Sequence, residues 1–184
     1  MAAVQGPSPA MMTKSPAPLL AVLLGALLPA ASAGAVEASL RLGLSTPTGD
    51  SGQPGPALGL TLGGPLHGRI SIVAAGELSM HGVPGHAERR IDAVTALLGL
   101  EAGIDLAPIV PTISLGPCYQ HAWRQDVSGA KSDKFGAYVG LGLKAVLVDH
   151  LVLGFSVRYL TVGYTADSFP AWATFALEIG WTSG

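Results

Sequence analysis

Seven charged side chains, Glu37, Arg41, Glu77, Glu101, Lys144, Arg158 and Glu178, fall at one parity of a repeating two-residue pattern, four acidic against three basic. Charges at one parity of successive strands point into a shared space. Two chemistries suit such a set: a gated pore or proton path, or a salt-bridge network that neutralises itself and fills the space. A buried charge without a partner costs several kcal/mol, so the structural network is the reading carried forward. Arg41, Glu101, Lys144, Arg158 and Glu178 are expected in the half nearest the short turns. Arg41 and Glu178 sit on the first and last strands, which pair if the sheet closes.

Other candidate motifs carry less. Residues 140–145 (GLGLKA) match a dinucleotide fingerprint, but that site needs a strand, a tight turn and a helix, and here the glycines keep a strand's own period. His81 and His86 flank a glycine-rich stretch and lack a third ligand of definite spacing, so neither metal nor cofactor is expected. A lipid hydrolase needs serine, histidine and an acid within reach of one another. His121 has no serine two positions away, and Ser128 and Ser168 approach only through loops. Cys118 reads as a small inward core residue, since no electropositive neighbour would stabilise its thiolate.

The elements that position these residues follow from composition and period. In 184 residues, 12% are charged and 49% hydrophobic, and mean hydropathy is +0.47. A soluble domain carries roughly 25% charged residues; half that is too little to coat an aqueous surface. Ten basic against 12 acidic residues leave no basic stripe for a phosphate backbone, which excludes nucleic acid as a partner. One cysteine rules out an internal disulfide framework.

From residue 36 on, Val36, Ala38, Leu40, Leu42 and Leu44 alternate with Glu37, Ser39, Arg41, Gly43 and Ser45. That is strand periodicity. It returns in 58–63, 70–80, 94–104, 109–123, 135–144, 151–159 and 172–181, which makes eight strands, with Pro111 and Pro117 marking expected irregularity in the fifth. Residues 46–55, 82–88, 125–134 and 165–170 read as longer polar loops; 64–68, 105–108 and 149–150 read as short turns. Longer loops on one rim and short turns on the other describe an up-and-down antiparallel meander.

Alternation alone fits a soluble lipocalin-like ligand-binding barrel as well as a membrane barrel. The second face decides between them. It is mostly glycine, serine, threonine and alanine, too bland for bulk water and too polar for lipid, and it suits the narrow interior of an eight-strand cylinder. Glycines recur there, as in Leu42-Gly43-Leu44 and Leu141-Gly142-Leu143; Gly76 sits on the other parity. A sheet in hydrocarbon must close on itself. The expected fold is all-β: an eight-stranded antiparallel transmembrane barrel over residues 34–184.

Ahead of it, Lys14, the apolar run 19–28 (LLAVLLGALL), Pro29 and residues 31–33 (ASA) read as a secretory signal peptide over residues 1–33. With the eight alternating strands, a terminal strand at 173–181 (ATFALEIGW) and the turn 149–151 (DHL) leading to 155–159 (FSVRY), the chain resembles the small bacterial outer-membrane barrels of the OmpA/OmpX type. The resemblance implies insertion in a bacterial outer membrane, lipid as the surrounding partner, and an assembly machinery that reads the last strand. Residues 182–184 (TSG) follow Trp181, where the family usually ends on the aromatic itself. A monomer is expected, structural or surface-interactive in role and not a diffusion porin; the rivals are a soluble secreted or periplasmic barrel and an outer-membrane lipid-modifying enzyme.

Overall fold

The structure, a computed structural model, describes residues 36–48, 53–83, 85–124, 131–147, 150–163 and 171–183. The expected signal peptide, Ser128, Ser168, the His86 side chain and the centres of three longer loops lie outside the described residues.

Eight strands form: β1 (Glu37–Thr48), β2 (Gly55–His67), β3 (Ile70–Val83), β4 (His86–Gly103), β5 (Ile109–Arg124), β6 (Lys131–Val146), β7 (Leu151–Val162) and β8 (Ala171–Thr182). Each pairs antiparallel with its neighbours, and β1 closes on β8 from Glu37 opposite Thr182 to Thr48 opposite Ala171. Following the register from Arg41 through β2 to β6 arrives at Lys134, and through β8 and β7 at Lys144. That stagger of ten residues around eight strands, at ~3.3 Å per residue and ~4.8 Å per strand, tilts the strands by roughly 40°. A strand of 12 residues such as β1 then rises roughly 30 Å, the depth of a bilayer's hydrocarbon core.

The faces sort as the period demands. Leu42, Leu60, Leu141 and Leu177 are each more than half exposed on the outside, while Ser39, Arg41 and Thr174 between them are buried. A soluble barrel with an apolar cavity needs the leucine rows to meet inside, so that alternative does not match this arrangement.

The structure corrects several boundaries. Residues 82–88 are not a long loop: β3 runs to Val83, β4 starts at His86 opposite it, and Gly85 takes φ 74° in the turn. Only two residues separate the paired Val83 and His86, the length of a two-residue hairpin connection, and the irregularity moves onto β4, whose register shifts beside Gly82. β2 likewise continues through the expected turn at 64–68, with a bulge between Pro65 and His67 and Gly68 at φ 56°. Residues 131–134, expected in a loop, pair with β5. Pro117 leaves the β5–β6 register unbroken. On the other side the ladder partners step from Leu97–Cys118 to Leu100–Leu115, as a residue without an N–H requires.

Candidate functional site

The seven charges separate into a turn-side group, a mid-lumen group and one guanidinium apart. Glu37, Glu101 and Lys144 meet near the rim of short turns. Lys144 Nζ, from β6, donates to Glu37 Oε1 of β1 at 2.9 Å and to Glu101 Oε1 of β4 at 2.6 Å. The ammonium thus ties three walls of the barrel together. A vestibule of about 210 Å³ opens beside it, lined by Glu37, Glu101, Lys144, Thr61, Ser71 and Thr182 among others.

Arg41 organises the second group. Its register partner across the closure is Glu178, to which Nε donates at 2.7 Å; Nη1 donates to Glu77 Oε2 at 2.9 Å and Nη2 to Ser156 Oγ at 2.8 Å. Ser156 Oγ donates in turn to Glu178 Oε1, and Thr174 Oγ1 to Glu77 Oε1. One guanidinium therefore binds β1, β3, β7 and β8 while only 1% of its side chain is exposed. Charge-assisted bonds of this kind are roughly twice as strong as neutral ones, and the planar fork of arginine can serve three acceptors at once.

Arg158 makes no ion pair among the described residues. Its Nη2 donates to Thr61 Oγ1 at 3.2 Å across the lumen, and Nη1 has no partner among the described groups. Arg158, Glu178, Lys144, Ser114 and Thr112 surround a space of about 10 Å³, room for one water molecule.

The lumen also holds an apolar cluster, spread over β3 to β8, that the period alone does not assemble: Ala75, Leu97, Cys118, Tyr138, Leu160 and Val162, with Trp172 packed against it. These share the inward parity, so the signal was present. Leu97 interrupts the alternation expected of β4 by putting an apolar residue on the small, polar face, and Leu160 and Val162 lie past the expected end of β7 at 159. Close approach of β4 and β5 explains two inward glycines: a Cβ on Gly99 would meet the Leu115 carbonyl and the Tyr138 hydroxyl, and one on Gly116 would meet the backbone of Leu98 and Gly99. Loop-ward of the cluster, His81 is fully buried, edge-on to Trp172 at 4.5 Å and bonded through Nε2 to Ser79 Oγ at 3.0 Å. It is an inward core histidine, and among the described residues no group of three or more His, Cys, Asp or Glu could hold a metal.

His121 lies on the outside, at the loop end of β5, and its Nδ1 donates to Asp133 Oδ1 at 2.7 Å. Trp123 occupies the position two residues on, beside the imidazole. Among the described residues no serine hydroxyl is bonded to His121.

No protein-family model and no curated protein sequence matches the chain. Its fold matches that of solved structures at low identity. Neisserial surface protein A is 12% identical, with 80% of this chain and 95% of that one covered at TM-score 0.61. Ail, the attachment invasion locus protein of Yersinia pestis, is 14% identical, with 82% and 99% covered at TM-score 0.60. The outer membrane enzyme PagL is 15% identical, with 79% and 98% covered at TM-score 0.52. The chain therefore has the closed eight-stranded antiparallel fold of small outer-membrane barrels.

Proposed function

We propose that this protein resides in a bacterial outer membrane as a monomeric barrel with a structural or surface-interaction role, its lumen closed to diffusion. The observation that carries this reading is the pairing of an apolar exterior with an interior crossed by Arg41, Lys144 and Tyr138. Leucine rows of that extent would associate in water, and lipid satisfies them. Inside, the ion pairs and the apolar cluster share one narrow cylinder, as expected of an eight-strand barrel filled by side chains. Two of the proteins that share the fold are, by their descriptions, a surface protein and an attachment invasion locus protein, which favours a role at the cell surface. Residues 1–33 act as the cleaved signal peptide, and β8 is the strand the assembly machinery reads during insertion.

The test is carbonate extraction of fractionated membranes, followed by planar-bilayer recording of the purified protein. The protein is expected to stay in the membrane, to shift its gel mobility on boiling, and to show no steady conductance. Release by carbonate contradicts the location, and steady channels contradict the closed lumen.

The fold shared with PagL and the outward His121–Asp133 pair favour a second reading, a lipid-modifying enzyme. The missing serine beside His121 weighs against it. Mass spectrometry of outer-membrane lipids with and without the protein decides: unchanged lipid masses are expected, and a lost acyl chain would establish the enzyme.

A further inference from the structure

Among the described residues, the loop-side halves of the strands carry outward acidic, basic or imidazole side chains in one sector alone. β4, β5 and β6 present Arg90, His121 and Asp133 there, with Asp92 buried beneath Arg90. At the same height β1, β3, β7 and β8 present Thr46, Met80, Tyr159 and Ala173. Within the sector, Asp133 is the centre. It accepts the Nδ1–H of His121 at 2.7 Å and, on the same oxygen, the hydroxyl of Tyr119. Committing Nδ1 to the carboxylate leaves Nε2 pointing away from it. Phe135 stands against Tyr119 with ring centroids 4.9 Å apart, and Trp123 against His121 at 5.6 Å. The Asp133 side chain is 61% exposed and His121 34%. Turn-ward of this shelf the outer face is continuously apolar, through Pro117 and Ala137 to Leu115, Val139 and Leu141.

We infer that this shelf binds the sugar headgroup of a glycolipid whose acyl chains lie along the leucine rows beneath it. A carboxylate, an imidazole and a phenol offer both donors and acceptors to hydroxyls. The exposed aromatic rings give apolar faces for the C–H side of a sugar ring. A carboxylate only accepts hydrogen bonds, and a sugar hydroxyl has a donor for it where a phosphodiester has none. The inference rests on the membrane location proposed above.

The experiment places the purified barrel in nanodiscs of phosphatidylethanolamine and phosphatidylglycerol containing a minor share of a glucosyl-diacylglycerol, and reads retained lipids by native mass spectrometry. Wild type is expected to retain the glucosyl lipid in preference to either phospholipid. Asp133→Ala and Trp123→Leu, each checked for folding by its heat-dependent gel shift, are expected to lower that retention about fivefold, the worth of one hydrogen bond or ring contact. Leu44→Ala, on the opposite outer wall, is expected to leave it unchanged. Equal retention of all three lipids by wild type, or wild-type retention by both shelf variants, overturns the inference while leaving the membrane location intact. A barrel that stays dispersed in buffer without lipid overturns the location and the inference together.

Discussion

Arg41 and Lys144 are both inward cations that bridge two carboxylates, yet their surroundings differ. Arg41 is 1% exposed, between Glu77 and Glu178 at 6% each; Lys144 is 12% exposed, and its partner Glu37 is 27%. Water in the vestibule can take over from Lys144 and cannot reach Arg41. The contrast teaches that equal pairing does not mean equal consequence: removing one member of a dry pair strands a charge, whereas removing one at the mouth leaves carboxylates that solvent can stabilise.

The largest effect should come from Arg41→Ala, which leaves Glu77 and Glu178 facing each other without their shared donor. A loss of about 3–5 kcal/mol is expected, read as a lower urea midpoint for unfolding of the barrel in lipid. An unchanged midpoint would break the contrast at its strong end. Tyr138→Ala opens a hole in the apolar cluster of the lumen. It should cost about 3 kcal/mol, by analogy with aromatic truncations in cores, and raise conductance above background in planar bilayers. Lys144→Ala should cost only about 1 kcal/mol, and a penalty matching that of Arg41→Ala would erase the distinction between the dry and wet groups. Of similar size is Thr61→Val, which removes the hydroxyl that accepts from Arg158 Nη2 and should also cost about 1 kcal/mol. A double-mutant cycle sharpens the comparison further: coupling between Arg41 and Glu178 should exceed that between Lys144 and Glu101.

How much of this was legible beforehand follows from what a period encodes. A strand's side chains alternate with period two, so the face of every charge could be read from one strand at a time, and the meeting of Arg41 with Glu178 followed from closure. Which charges meet across the lumen depends on the stagger between strands. Single-strand patterns do not contain it. The sequence reading therefore expected Lys144, Arg158 and Arg41 in one turn-side set, where a stagger of ten residues separates Lys144 with Glu37 and Glu101 from Arg41 with Glu77 and Glu178. The apolar cluster is illegible for another reason. Tyr138 and Leu160 had the right parity, but an interior imagined as small and polar had no place for them. At residues 82–88, polar and glycine-rich composition suggested a loop, while the hairpin is decided by where β3 and β4 stop pairing.

The most direct measurement uses spin labels in the lipid-reconstituted barrel, with Cys118 replaced by alanine and single cysteines placed at Leu60, Leu141 or Ser114. If leucine rows face lipid and the lumen is sealed, labels at Leu60 and Leu141 collide readily with dissolved oxygen and hardly with a water-soluble nickel complex, and the label at Ser114 is shielded from both. Strong nickel collisions at Leu60 and Leu141 would contradict the account.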